Sequence, residues 1–207
     1  MLKIIYSDNH ILVVLKPHGL CTQPDLSELA KAYVKEKYQK KGEVFLHPIH
    51  RLDKDVSGIV IFARTSKALT RLNEQQRERK IKKNYVAEVE GVLEESEGVL
   101  HHYLRHGSFK AEVVNKSAER AKSAQLSFKV LQRKEKSTIL NIDLLTGRYH
   151  QIRAQFSAIG HPVLGDQKYG SLFKSEKLHL HHERVEFFHP VKKEKMIFES
   201  PPIINKS

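Results

Sequence analysis

The run Gly58–Ala63 (G-I-V-I-F-A) contains no polar side chain. It is far shorter than the roughly 18–20 apolar residues that a membrane span requires. A short run that is apolar throughout reads as a strand with both faces covered by protein. Other strands fall in place around it. Ile4–Tyr6 and Ile11–Leu15 flank the polar turn Ser7-Asp8-Asn9-His10, which predicts a hairpin. In Asn84–Val92, Tyr85, Ala87 and Val89 share one face, and Val86, Glu88 and Glu90 share the other. Ala124–Val130 alternates more cleanly, with Ala124, Leu126, Phe128 and Val130 inward. Thr138–Leu145, Leu178–Phe188 and Lys195–Phe198 read as further strands.

Helical signals are fewer. Asp25-Leu26-Ser27-Glu28 has capping-box spacing and predicts a helix to about Lys41, with Leu29, Tyr33, Val34 and Tyr38 on one side. Ser66 is placed to cap a helix to about Lys80, whose apolar stripe is only Ala68, Leu69 and Leu72. Tyr149, Ile152, Phe156 and Ile159 mark a third stripe, closed by Gly160. Residues 101–122 follow neither period and read as a long basic excursion. Many strands, few helices and hairpin connections predict an α+β fold: a mainly antiparallel mixed sheet with flanking helices and basic loops. No repeat or linker divides the chain, so a single domain over 1–207 is the expectation.

Charge then narrows the partner. The chain of 207 residues has a formal net charge of +12. Residues 64–83 hold eight basic and two acidic side chains, residues 101–136 hold nine and three, and the remaining segments cancel. Charge gathered this way suits a phosphate-tracking surface, with solvated helix faces as the plainer alternative. The apolar N-terminus is interrupted by Ser7, Asp8, Asn9 and His10, unlike a signal peptide. The single cysteine, Cys21, excludes an internal disulfide and reads as a reduced thiol. A cytoplasmic protein with an anionic partner and no membrane association is expected. No heptad run is present, so a monomer is expected.

Three segments carry candidate chemistry. In His50-Arg51-Leu52-Asp53-Lys54-Asp55-Val56-Ser57-Gly58, a carboxylate precedes the apolar strand, and Arg51 and Lys54 favour its ionised form. The same residues also suit an ordinary turn. If the segment is extended, Asp53 and Asp55 point the same way and could form a carboxylate pair. In Leu145-Thr146-Gly147-Arg148-Tyr149-His150-Gln151-Ile152-Arg153, Arg148 stands at the predicted start of a helix. A buried guanidinium there could grip a carboxylate, or Arg148 is a surface residue near a cap. In Lys82-Lys83-Asn84-Tyr85-Val86-Ala87, Tyr85 is a candidate aromatic contact or simply core. His179, His181 and His182 alone do not make a zinc site, and no metal is expected. No dinucleotide fingerprint, P-loop or zinc-protease motif is present.

Taken together these segments resemble the RluA class of RNA pseudouridine synthases. The resemblance spans nearly the whole chain: K-P-H-G-L at 16–20, H-R-L-D at 50–53 with S-G at 57–58, and K-N-Y-V-A at 83–87. It continues with K-S-A-Q-L-S-F at 122–128, T-G-R-Y-H-Q-I-R at 146–153 and G-H-P-V-L-G-D-Q-K-Y-G at 160–170. L-H-L-H-H at 178–182 and F-F-H-P at 187–190 complete it. Val56 and Leu126 depart from the pattern, since the family commonly has Thr or a similar residue there. Many relatives carry an S4 RNA-binding domain at the N-terminus; none is expected ahead of the first hairpin here.

The resemblance implies the pseudouridine synthase fold and an isomerase that converts a uridine in rRNA or tRNA without cofactor, metal or bound nucleotide. It makes Asp53 the catalytic aspartate and Tyr85 the residue that stacks on the flipped base and helps move protons. Arg148 would hold Asp53, and Arg51 would enter the RNA stack in place of the uridine. His150, Gln151 and Arg153 would shape the helix behind the site. The expected RNA-binding set is His50, Arg51, Arg77, Arg79, Lys80, Lys82, Lys83 and Arg153, acting on a stem-loop. Two other readings remain: a catalytically silent RNA-binding protein or assembly factor, and a glycosidase or nuclease built on Asp53 and Asp55.

Overall fold

The computed structural model describes residues 2–201. The chain forms two compact units, one built from residues up to Lys82 together with His182–Pro201, the other from Lys83–His181.

In the first unit the apolar run becomes the middle strand. β1 (Lys3–Ser7) and β2 (Ile11–Lys16) form the predicted antiparallel hairpin. Its turn is held by Asp8, whose Oδ1 accepts the backbone N–H groups of His10 at 2.8 Å and Ile11 at 2.9 Å. The two-residue β3 (His47–Pro48) pairs with the end of β4 (Ser57–Ala63). β2 pairs antiparallel with β4, Ile11 opposite Ala63 and Lys16 opposite Gly58. β10 (Leu180–Phe188), which enters this unit at His182, lies beside β4 and pairs antiparallel with β11 (Lys195–Glu199). Every residue of β4 is buried, as its composition requires.

Two helices belong to this unit. α1 (Ser27–Lys37) ends earlier than the predicted Lys41, and an irregular turn over Thr22–Leu26, which includes Asp25, precedes it. The Asp25 carboxylate accepts from Cys21 N instead of capping the helix. Ala30 and Val34 face inward, while Leu29 is exposed. α2 (Ser66–Arg77) is capped one residue earlier than expected, by Thr65, whose Oγ1 accepts from Ala68 N at 3.1 Å. Its thin stripe suffices: Ala68 and Leu72 pack into a core with Ile11, Val13, Ile59, Ile61, Val185 and Phe187. Gln75 fixes the helix further by bonding both backbone groups of Phe188 at 2.8 Å.

The second unit is an antiparallel sheet in the order β5-β9-β8-β6-β7, made of β5 (Lys82–Glu90), β6 (Glu97–His106), β7 (Ala111–Val114), β8 (Lys122–Arg133) and β9 (Ser137–Leu144). Here the reading of 101–122 as an excursion is overturned, since β6 and β7 form a hairpin at the sheet edge. Only Leu104 and Ala111 are buried in that hairpin. Val99, Leu100, Tyr103, Val113 and Val114 lie exposed or half-buried among its polar residues, so no clean period-2 pattern appears.

α3 (Gln151–Ala158) begins later than the stripe suggested. His150 adopts a left-handed φ of 50°, which puts Tyr149 in a turn ahead of the helix. Ile152 and Phe156 face the core, and Ala154 packs with Leu104, Ala111, Ala124 and Tyr169. None of the described helices is long and apolar enough to cross a membrane.

Candidate active site

Asp53 lies in the first unit, half-buried, on the loop that feeds β4. The loop is not extended. Val56 N–H bonds Asp53 O at 3.1 Å and closes a turn, so alternation does not orient Asp53 and Asp55 as a pair. The Asp55 carboxylate stands 4.0 Å from His18 Nε2. The polypeptide on either side of Asp53 is tied down. Thr22 Oγ1 donates to Leu52 O at 2.8 Å and accepts from Leu52 N at 3.0 Å. Lys16, fully buried at the end of β2, donates to Lys54 O at 2.9 Å, Leu20 O at 2.6 Å and Pro17 O at 3.0 Å. Burial pushes the Lys16 ammonium down to about 8, while the nearby charges of Asp55, Cys21 and Asp53 pull the other way.

Tyr85 lies in the second unit, buried in β5 and opposite Ile142 of β9. Arg148 lies in that unit also, but not as expected. It sits in the loop ahead of α3 and is exposed, because the left-handed turn at His150 delays the helix. Its Nε donates to Ser123 O at 2.9 Å. Gln151 shapes this loop: its Oε1 accepts from Thr146 Oγ1 at 2.8 Å and from Arg148 N at 3.0 Å. His150 is locked behind it, its Nδ1 3.0 Å from the Tyr169 hydroxyl. Burial, with the positive charges of Arg153 and Lys168, pushes the His150 imidazole down to about 3.

The expected RNA-binding residues divide in two. Arg51, Arg77, Arg79, Lys80 and Lys82 are exposed, with Lys80 bridging to Glu78 at 2.7 Å. Lys83 is half-buried beside Gly147, and burial lowers its ammonium below the ordinary lysine value. Two members of the set are buried. His50 is buried: its Nε2 accepts from Ile61 N at 3.4 Å and its ring meets His182 edge-on at 5.2 Å. Arg153 is buried on α3 and forms a double hydrogen bond with the Asp166 carboxylate, at 2.6 and 2.8 Å. A guanidinium sealed against its own carboxylate offers no charge to a phosphate.

The late histidines serve structure. His182 Nδ1 is 2.6 Å from Ile59 O, and His179 Nδ1 is 3.1 Å from Glu88 Oε2. Glu88 itself escaped the sequence reading, since its alternation put it on an outer face. It is buried, with Ser137 Oγ at 2.7 Å and Lys134 Nζ at 3.3 Å. Burial alone would raise the Glu88 carboxyl, but the bonds from Ser137, His179 and Lys134 outweigh it and hold it below the usual value. Lys16 and Thr22 were missed as well. A lysine closing five apolar residues was the available signal for the first, and no local pattern marked the second.

The family model described as RNA pseudouridylate synthase matches residues 10–158. A relative in Pasteurella multocida, a dual-specificity RNA pseudouridine synthase RluA, is 37% identical over 97% of this chain and 93% of its own length. The protein of the same name in Haemophilus influenzae is 38% identical over 96% of this chain and 92% of its own. Human RNA pseudouridylate synthase domain containing 1 has the same fold, with a TM-score of 0.81 over 97% of this chain and 83% of its own, at 24% identity. On the match of its sequence from the first hairpin to α3, and on its likeness to these relatives over nearly its full length, the chain belongs to the RNA pseudouridylate synthase family.

Proposed function

We propose that this enzyme acts on a uridine in rRNA or tRNA, presented in a stem-loop, with Asp53 as its catalytic carboxylate. The observation that carries the assignment is the placement of Asp53 within H-R-L-D, half-buried on a turn whose neighbours Leu52 and Lys54 are both held by side chains. Catalysis by a carboxylate needs a fixed geometry, and a turn anchored on both flanks supplies it. Pseudouridine formation detaches uracil from ribose, rotates it, and rejoins it through carbon. It involves no redox change and no phosphoryl transfer, so the residues of the chain carry it without a cofactor. The carboxylate acts at the sugar.

Tyr85 gives the flipped base an aromatic face and a hydroxyl. Arg51 fills the gap left in the RNA stack. The exposed Arg77, Arg79, Lys80 and Lys82, with Lys83 beside them, bind phosphates. The dual-specificity name of the Pasteurella and Haemophilus relatives supports more than one RNA substrate. The protein works as a cytoplasmic monomer. The test is to incubate wild type and Asp53→Asn with transcribed rRNA and tRNA and map pseudouridine. Wild type is expected to create it and the variant to create none. Strand cleavage, free uracil, or binding without product would overturn the assignment.

A further inference from the structure

Leu52 precedes Asp53 in the chain, and both of its backbone polar groups are satisfied by one side chain. The Thr22 hydroxyl accepts from Leu52 N at 3.0 Å and donates to Leu52 O at 2.8 Å. A single hydroxyl thus does what the facing backbone of a strand would do. It also does so out of water, since Thr22 and Leu52 are both buried. Thr22 is itself held. Ser27 Oγ, in the first turn of α1, donates to Thr22 O at 3.0 Å. Leu26 N closes the same turn on Cys21 O at 3.0 Å. A continuous chain of bonds therefore runs from α1 through Thr22 to the peptide just before Asp53. On the other flank, Lys16 Nζ and Gly19 N both donate to Lys54 O, each at 2.9 Å.

We infer that Thr22 is a positioning residue for catalysis: its hydroxyl sets the backbone from which the Asp53 carboxylate projects, opposite the hold that Lys16 keeps on Lys54. This rests on the reading of Asp53 as the catalytic carboxylate. Thr22 needs no contact with RNA for this role. Its removal lets the Leu52 peptide shift, and a displacement of about 1 Å at a reacting group can cost on the order of a hundredfold in rate. Binding of RNA through basic side chains elsewhere is left as it was. A loss confined to the chemical step is the signature that separates positioning from a general loss of fold.

The experiment compares wild type, Thr22→Val, Thr22→Ser and Asp53→Asn as full chains. The probes are transcribed rRNA and tRNA carrying tritium at C5 of uridine, with tritium release under single-turnover conditions as the rate. Filter binding gives the RNA dissociation constant, and thermal unfolding gives the working temperature. Thr22→Val keeps the shape and loses the hydroxyl. Its rate is expected to fall roughly 10- to 100-fold at an unchanged dissociation constant, well below its unfolding midpoint. Thr22→Ser, which restores the hydroxyl, is expected to recover most of the rate.

A Thr22→Val rate within twofold of wild type overturns the inference. So does a slow variant whose RNA affinity falls in proportion, or one that serine does not rescue. If Thr22→Val shows no folding transition, hydrogen exchange in the wild type decides. A freely exchanging Leu52 amide overturns the clamp, while a protected one with Thr22→Ser near the wild-type rate sustains it. Failure of the underlying reading looks different: Asp53→Asn would then release tritium as fast as wild type, or wild type would release none.

Discussion

Arg153 of α3 and Asp166 of the loop after it form a sealed ion pair, with Arg153 Nε 2.6 Å from Asp166 Oδ2 and Nη2 2.8 Å from Oδ1. The guanidinium also lies over the Tyr169 ring, 5.1 Å from its centroid. Two parallel bonds leave little of either charge unsatisfied, which is what allows the pair to be buried. Removing one partner strands the other. Arg153→Met or Asp166→Asn should each lose about 3–5 kcal/mol of stability in denaturant unfolding. Lysine at 153 should not rescue, because a point charge cannot make the forked contact. RNA affinity should stay at the wild-type value for folded protein, and a selective loss of affinity would return Arg153 to the binding surface.

Gly58, the second residue of β4, has a φ of +131°, and a Cβ there would lie 2.5 Å from both N and O of His182. The backbones of β4 and β10 meet at that point, and neither can yield without breaking the sheet. Gly58→Ala is expected to destabilise the protein by about 3 kcal/mol or more, from strain and overpacking together. Urea unfolding measures it, and a change below about 1 kcal/mol would mean that the strands separate more easily than their packing indicates.

His150 makes stability depend on pH. Its folded value is pushed down to about 3 by burial and by the charges of Arg153 and Lys168, below the ordinary histidine value of 6.5. As pH falls from 6.5, the unfolded chain gains a proton that the folded one refuses, so stability is lost progressively toward the folded value. The contribution lost between pH 6.5 and pH 4 is on the order of 3 kcal/mol. His150→Asn keeps a residue that tolerates the left-handed turn and removes the titration. Its stability should therefore vary less over that window, while lying lower at neutral pH for want of the Tyr169 contact. Equal slopes for the two proteins would exclude His150 as the source.

Arg77, Arg79 and Lys80 are exposed at and beyond the end of α2. Reversing all three to Glu should weaken RNA binding and flatten its salt dependence. With roughly 0.7–0.9 counterions released per phosphate contact, the slope of log K against log salt should fall by about 2. An unchanged slope would take the end of α2 off the RNA surface. Arg71 is a useful control, because its Nη1 is committed to Pro190 O at 2.7 Å.

Legibility followed the local signal. The β1–β2 hairpin could be read because Ser7–His10 is a polar break between two apolar runs. β4 and β8 could be read because burial imposes an apolar run on one and a strict alternation on the other. The β6–β7 hairpin could not, since its side chains mostly meet water and carry no pattern. Arg153 and His50 entered the expected RNA-binding set because a sequence shows a polar side chain but not where it points. Their inward turn depends on partners that no local pattern marks: Asp166 for Arg153, and Ile61 with the distant His182 for His50.

By itself the sequence determined the fold class, the basic segments and the family, because motifs in order, alternation and charge are all properties of neighbours along the chain. It also singled out Asp53 as the residue to test. Tertiary structure alone decided which charged side chains stay exposed and which are paired internally. It also revealed that Thr22 and Lys16 hold the peptide on either side of Asp53. The reason is physical: a buried polar group must find its partner wherever the fold brings one, and no local period records that meeting.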